Sequence, residues 1–185
     1  GGEILFVSHS ADPSEAVQKT NDYITAYGDT DCIYATGEDY ITPAADVIKS
    51  RGITDCKIYG SNISPSVCQL IMDGQVEACT GGEFVCGSLA VTLLINYLDG
   101  NPIKDADGTA PYFDNLTQFM VTAENAEDFY EFLSDENLAT HTISDEEYQN
   151  LLVRNNPDVD YDYFYDFLTN YEENVYAKVE ANAAQ

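Results

Sequence analysis

The chain predicts an α/β fold, a parallel, Rossmann-like sheet followed by a helical C-terminal extension. Three observations lead there. Short apolar runs alternate with helix-period stretches over the first 100 residues. The helical stretches carry start signals such as Asp12-Pro13 and Ser64-Pro65 and stop at glycines such as Gly52, Gly74 and Gly100. After Pro102 the alternation gives way to amphipathic helical stripes.

Each element follows from its residues. Ile4-Leu5-Phe6-Val7 is a continuous apolar run, as expected of a strand covered on both faces. Asp12 can cap a helix, Pro13 suits its first position and Glu15 completes a capping box. Val17, Thr20, Tyr23, Ile24 and Tyr27 then recur at helical spacing. Cys32 to Ala35 is a strand, and Thr42-Pro43 opens a helix ending near Gly52. Cys56 to Tyr59 is the next strand, followed by a helix from Ser64-Pro65 to Gly74. Val76 to Thr80 is a further strand, and a helix runs from about Val85 to Asp99. Single helices between strands imply right-handed crossovers and a parallel sheet.

Residues 101–115 read as a loop, and Gln118 to Thr122 as one more short strand. Ala126, Phe129, Tyr130 and Leu133 form a helical stripe. Ser144 to Glu147 is a capping box, and Asn156-Pro157 ends its helix. A last helix spans Asp160 to Val179, its rings packed on the core rather than set out as a flat aromatic platform. Two regions are therefore expected: 1–122 as an α/β lobe, itself incomplete, and 123–185 as the helical extension.

Seven Lys and Arg against 33 Asp and Glu give a net charge of −26. A field of that sign repels phosphate backbones, so no nucleic-acid partner is expected. It equally disfavours anionic membrane surfaces. It suits a highly soluble surface, with adaptation to salt or to cationic partners as the sharper alternative. No apolar run reaches the roughly 18 residues of a membrane span. Five cysteines leave at least one thiol outside any intrachain disulfide, and their spacing with His9 and His141 does not suggest zinc.

The order of parts resembles the C-terminal lobe of type 1 periplasmic sugar-binding proteins, the ribose-binding-like family. The resemblance rests on Asp31-Cys32-Ile33, Ile58-Tyr59-Gly60-Ser61-Asn62, Ile71-Met72-Asp73-Gly74 and Tyr97-Leu98-Asp99-Gly100-Asn101-Pro102, with Phe119 to Asn125 as a late strand and helix start. It covers about residues 3–125 and leaves 126–185 without a counterpart. It implies a two-lobed protein that closes on its ligand without chemistry. It implies a sugar-like small molecule, the membrane permease of an ABC importer, and a missing N-terminal lobe or second chain as partners, and no cofactor. It also implies an extracellular or periplasmic location, with lipid anchoring of the full-length protein.

In that register Glu3 to His9 matches the second strand of the lobe, so the central first strand is missing and a fragment of a longer protein is expected. The two flanking strands could instead pair directly, or the 118–122 strand or a second molecule could fill the gap. Open α/β sheets bind ligands at the carboxyl ends of their strands. The candidate ligand-binding residues there are Glu38, Asp39, Asn62, Gly82 and Glu83. Asn62 takes the position of the family's sugar-binding Asp, Gly37 that of a polar side chain, and Gly82 lies around that of a Gln. Carboxylates and amides pair with sugar hydroxyls. A Cys79 or Cys86 nucleophile beside His9 is the enzymatic alternative, disfavoured because nothing in the spacing fixes it. A ligand-sensing domain of a regulator or receptor, and an interaction domain built on the aromatic tail, remain as further readings.

Overall fold

The computed structural model describes residues 2–135 and 142–184. Its sheet has four strands in the order β1 (Cys32–Ala35), β2 (Lys57–Ser61), β3 (Ala78–Gly81), β4 (Phe119–Thr122). β1, β2 and β3 are parallel, with Ala35 opposite Gly60 and Gly60 opposite Cys79. The helices are α1 (Pro13–Ala26), α2 (Glu38–Ser50), α3 (Pro65–Met72), α4 (Cys86–Leu98), α5 (Ala126–Ser134), α6 (Asp145–Asn150), α7 (Tyr161–Thr169) and α8 (Tyr171–Ala183). A short 3-10 turn, Glu83–Val85, precedes α4. The fold is the α/β class read from the sequence, with a parallel-dominated sheet.

The chain gathers into two units, residues 1–80 with 120–130 and residues 81–119 with 131–185. The first is built on β2. Gly60 has no side chain because a Cβ there would sit 2.4 Å from the Ile41 Cδ1 of α2. Ile41, Ala44, Ala45 and Ile48 of α2 are buried, as are Ile58, Val67, Cys68 and Ile71. Local chemistry sets the helix ends. Asp12 accepts from the Glu15 N–H at 2.9 Å, and Ser64 Oγ accepts from the Val67 N–H at 3.2 Å. Glu15 reaches one residue past the cap and accepts from the Ala11 N–H. Gly52 at φ +66 closes α2 in the left-handed region, where a Cβ is strained.

Two expectations in this unit are corrected. Ile4 to Val7 is not a strand: residues 2–10 carry no secondary structure, and Ile4 is 81% and Val7 76% exposed. A strand needs a neighbour for its N–H and C=O groups. β1 pairs only with β2 among the described residues, and β4 sits at the other end of the sheet. The segment instead rests on α1, with the Phe6 ring 4.2 Å from that of Tyr23. α2 starts at Glu38 rather than Thr42, and Pro43 lies inside it. Glu38 and Asp39 favour the positive end of the helix dipole, so the acids rather than the proline mark the start.

The second unit is helical. Val85 and Leu89 of the α4 region, Phe132, Ile143, Leu151, Phe164, Leu168, Tyr171, Val175 and Val179 are buried. Asn96 of α4 is fully buried and ties down the chain after α6: its Nδ2 donates to Leu151 C=O and its Oδ1 accepts from Val153 N–H, both at 2.9 Å. The single helix expected over 160–179 is broken at Asn170. Thr117 Oγ1 accepts from the Glu172 N–H at 2.9 Å and lies 3.2 Å from the Thr169 carbonyl, so a distant hydroxyl serves both helix ends. The helix opened by Ser144 ends at Asn150, short of Pro157. Phe113 stacks on Tyr161 at 4.9 Å, and Phe164 is buried, as expected of rings packed inward. None of the five cysteines is in a disulfide.

Two outcomes are expected from this packing. Gly60→Ala lowers stability by about 1–3 kcal/mol through overpacking against Ile41. Chemical denaturation checks it, and the cost shrinks in the Gly60→Ala, Ile41→Val double variant. Asn96→Ala leaves a buried and a part-buried backbone group unpaired and costs about 1–3 kcal/mol; an unchanged melting temperature would contradict the anchor.

Candidate functional site

β1, β2 and β3 run parallel and in step, so their carboxyl ends point the same way. Glu38 and Asp39 follow β1, and Asn62 follows β2 directly. Gly82 and Glu83 follow β3 directly and belong to the second unit. The structure places each sequence-predicted residue after a strand's carboxyl end.

In the first unit Glu38 and Asp39 stand in the first turn of α2, not in a free loop. They line an open groove of about 440 Å³ between α1 and α2 with Pro13, Val17, Thr42 and Asp46. That groove has three carboxylates, the hydroxyls of Ser14 and Thr42 and no cation, so acceptors outnumber donors in it. Asn62 is exposed and has φ +75, the left-handed region that Asn tolerates better than most side chains. Tyr40, one residue beyond Asp39, donates from its hydroxyl to Ser10 C=O at 3.1 Å.

In the second unit Gly82 has φ +123, and a Cβ there would meet the Tyr171 ring 2.9 Å away. Glycine thus lets Tyr171 close over the turn. Both carboxylate oxygens of Glu83 are shut off from solvent and have no hydrogen-bond partner. A buried carboxylate is normally paired, because desolvation without compensation costs several kcal/mol. Burial also pushes the Tyr171 hydroxyl well above its ordinary value; Thr142 beside it pulls the other way, without a well-formed hydrogen bond, and the nearby acidic groups Tyr148, Cys86 and Glu83 raise it further. The sequence pointed to Glu83 through its place after a strand. Tyr171 and Thr142, far along the chain, carried no such signal.

His9 is exposed, and its carbonyl accepts from Lys19. Burial pushes the Cys68 thiol up to about 12 and raises Cys56 as well, so neither supplies a thiolate at neutral pH. Among the described residues no group of three or more His, Cys, Asp or Glu is placed to hold a metal ion.

A family profile described as a periplasmic binding protein domain matches residues 2–102. The chain belongs to this periplasmic binding protein family. No curated protein matches significantly. Among solved structures, a periplasmic sugar-binding protein from Pseudomonas fluorescens is 17% identical with a TM-score of 0.59, over 82% of this chain and 45% of that one. A galactofuranose-binding protein is 17% identical with a TM-score of 0.55, over 68% and 42%. The binding component of an arabinose ABC transporter from Shewanella sp. ANA-3 is 20% identical with a TM-score of 0.56, over 70% and 43%. The chain thus spans less than half the length of each. At these identities the likeness shows the shared type 1 fold. The family is one of non-catalytic binding proteins, and it implies a periplasmic location.

Lys178 donates to Glu147 and to Thr142 C=O, and Glu147 also accepts from the Ser144 N–H. Burial works to raise the Glu147 carboxyl, but Lys178 and the Ser144 N–H outweigh it and hold it below its ordinary 4.5. A depressed carboxyl stabilises the fold above its unfolded value and loses that contribution as pH falls through the folded one. Glu147→Gln keeps the capping box but removes the charge facing Lys178, and is therefore expected to cost about 0.5–1 kcal/mol at pH 7. The difference from the parent chain should vanish in denaturation curves taken at strongly acid pH.

Proposed function

We propose that the chain is the ligand-carrying part of a solute-binding protein that delivers a neutral sugar or related polyol to the permease of an ABC importer. The observation that carries the reading is the family match over residues 2–102. The proteins it resembles include ones named for galactofuranose, arabinose and myo-inositol. The ligand would lie between this lobe and an N-terminal lobe supplied by the rest of the polypeptide or by a second chain. Glu38, Asp39, Asn62, Gly82 and Glu83 are its proposed contacts.

The chemistry of those residues supports a hydroxyl-bearing ligand. Glu83 has two acceptor oxygens lacking a donor, and a polyol is a set of donors. Asn62 both gives and accepts. The net charge of −26 disfavours a phosphorylated or acidic sugar. Full-length protein lies at the cell surface on this reading, held by a lipid anchor.

Calorimetric titration of the protein translated from the complete reading frame, against a panel of pentoses, hexoses and inositols, tests this. Binding of at least one neutral member is expected, and silence across the panel overturns it. Glu83→Gln should weaken that binding by about tenfold or more, the worth of one charge-assisted hydrogen bond. The same change should raise the melting point of the ligand-free protein, because it removes an unpaired buried charge.

A further inference from the structure

We propose that the ring stack of Phe113, Tyr161 and Tyr165, with the carboxylates of Asp105, Asp114 and Asp162 around it, is a docking surface for an arginine-bearing basic segment of a partner protein. The proposal goes beyond the sugar-binding reading and shares no residue with its proposed contacts. α7 buries Phe164 and Leu168 and leaves Tyr163 and Tyr165 exposed, Tyr165 by 41%. From the buried Phe164 a column of rings climbs outward. Phe113 lies 5.9 Å from Phe164, Tyr161 4.9 Å from Phe113 and Tyr165 6.1 Å from Tyr161, with no pair tilted by more than 27°. Tyr112, on the loop that carries Phe113, is 72% exposed, and its carbonyl accepts from the Tyr161 hydroxyl at 3.2 Å. Asn115 Nδ2 donates to the Tyr165 carbonyl and to Thr169 Oγ1, both at 2.7 Å. The column is thus held in place before anything binds it. Core packing accounts for Phe164 but not for Tyr112 and Tyr165, large rings left in water.

Charge decides what these rings suit. The Tyr161 hydroxyl is raised above its ordinary value, first by burial and then by Asp105, Tyr165, Asp114 and Asp162, so three carboxylates stand in its field. No described Lys or Arg forms an ion pair with any of the three, Lys104 beside Asp105 included. Residues 155–177 hold six Asp and Glu and no Lys or Arg. Ring faces attract cations, and unpaired carboxylates supply the counter-charge. A guanidinium meets both demands, because it lies flat on a ring while its N–H fork pairs with a carboxylate; an ammonium is only a point charge. A second copy would bring another −26, and nucleic acid is repelled. The rings stand open to solvent, where a free small cation would be covered on one side only. A side chain carried on a larger partner fits such a surface better.

The test titrates the 185-residue chain with a capped peptide of alternating arginine and glycine, followed by amide NMR shifts. A lysine counterpart of equal charge is the comparison. Salt is kept at about 0.15 M, where the long-range field is largely screened. Shifts should centre on residues 112–114 and 161–165, and the arginine peptide should bind more tightly than the lysine one. Tyr112→Ala and Tyr165→Ala change no charge, yet each should weaken the arginine peptide by about two- to fivefold, the worth of one exposed cation–π contact. Tyr165→Phe, which keeps the ring, should bind as the parent does. So should Tyr34→Ala, which removes an exposed ring of the first unit. Asp114→Asn with Asp162→Asn should weaken both peptides and narrow the preference for arginine. Equal binding of the two peptides, indifferent to the ring variants, leaves only the general field and overturns the proposal. Free arginine amide binding as tightly as the peptide overturns it as well, as do shifts at the same amides with a neutral hexose and none with the peptide. The sugar-binding reading is untouched by each of these results.

Discussion

The sheet depends on one close approach. Gly60 is paired to Ala35 on one side and Cys79 on the other, so it stands in the middle of the three parallel strands. Ile41 of α2 presses into the space where a side chain would be. That contact fixes the distance of α2 from β2. It thereby fixes the start of α2, where Glu38 and Asp39 stand. The positions of the acids are consequences of core packing, not of a free loop.

The second unit is organised by polar atoms instead. Asn96, fully buried, does for the chain at Leu151 and Val153 what a strand would do, supplying one donor and one acceptor. Thr117 serves two helix ends at once. Glu83 stands out because both of its side-chain oxygens are buried without a partner, where Gln75, Asn115, Thr142 and Tyr171 leave one buried oxygen each. Such local violations are where function is expected to reside.

Legibility followed distance along the chain. Asp12-Pro13, Ser64-Pro65 and the Ser144–Glu147 capping box were readable because donor and acceptor lie within three residues. β1, β2 and β3 were readable from short apolar runs between helices. The break at Asn170 was not, because the hydroxyl that receives the Glu172 N–H just after it lies 55 residues before Glu172, at Thr117. Thr42-Pro43 misled because proline suits a first turn, yet Gly37, Glu38 and Asp39 had already begun the helix. Ile4 to Val7 misled because apolar β-branched composition reports what a segment can pair with, not whether a partner strand stands beside it. At the candidate site the strand-end positions were visible, while Tyr171 closing over Gly82 was not.

The acidity bears on how such a protein can hold a ligand at all. A carboxylate used as a hydrogen-bond acceptor is most costly to bury where its neighbours are also negative, and this chain has almost five acids for each base. A neutral polyol relieves that cost without adding charge, because each hydroxyl donates to one oxygen while its own oxygen accepts elsewhere. An anionic ligand would meet the same oxygens and the whole field behind them. The composition that disfavours nucleic acid therefore also narrows the proposed ligand. It favours a molecule recognised through donated hydroxyl protons, and it makes the unpaired Glu83 an asset only once such a donor is bound.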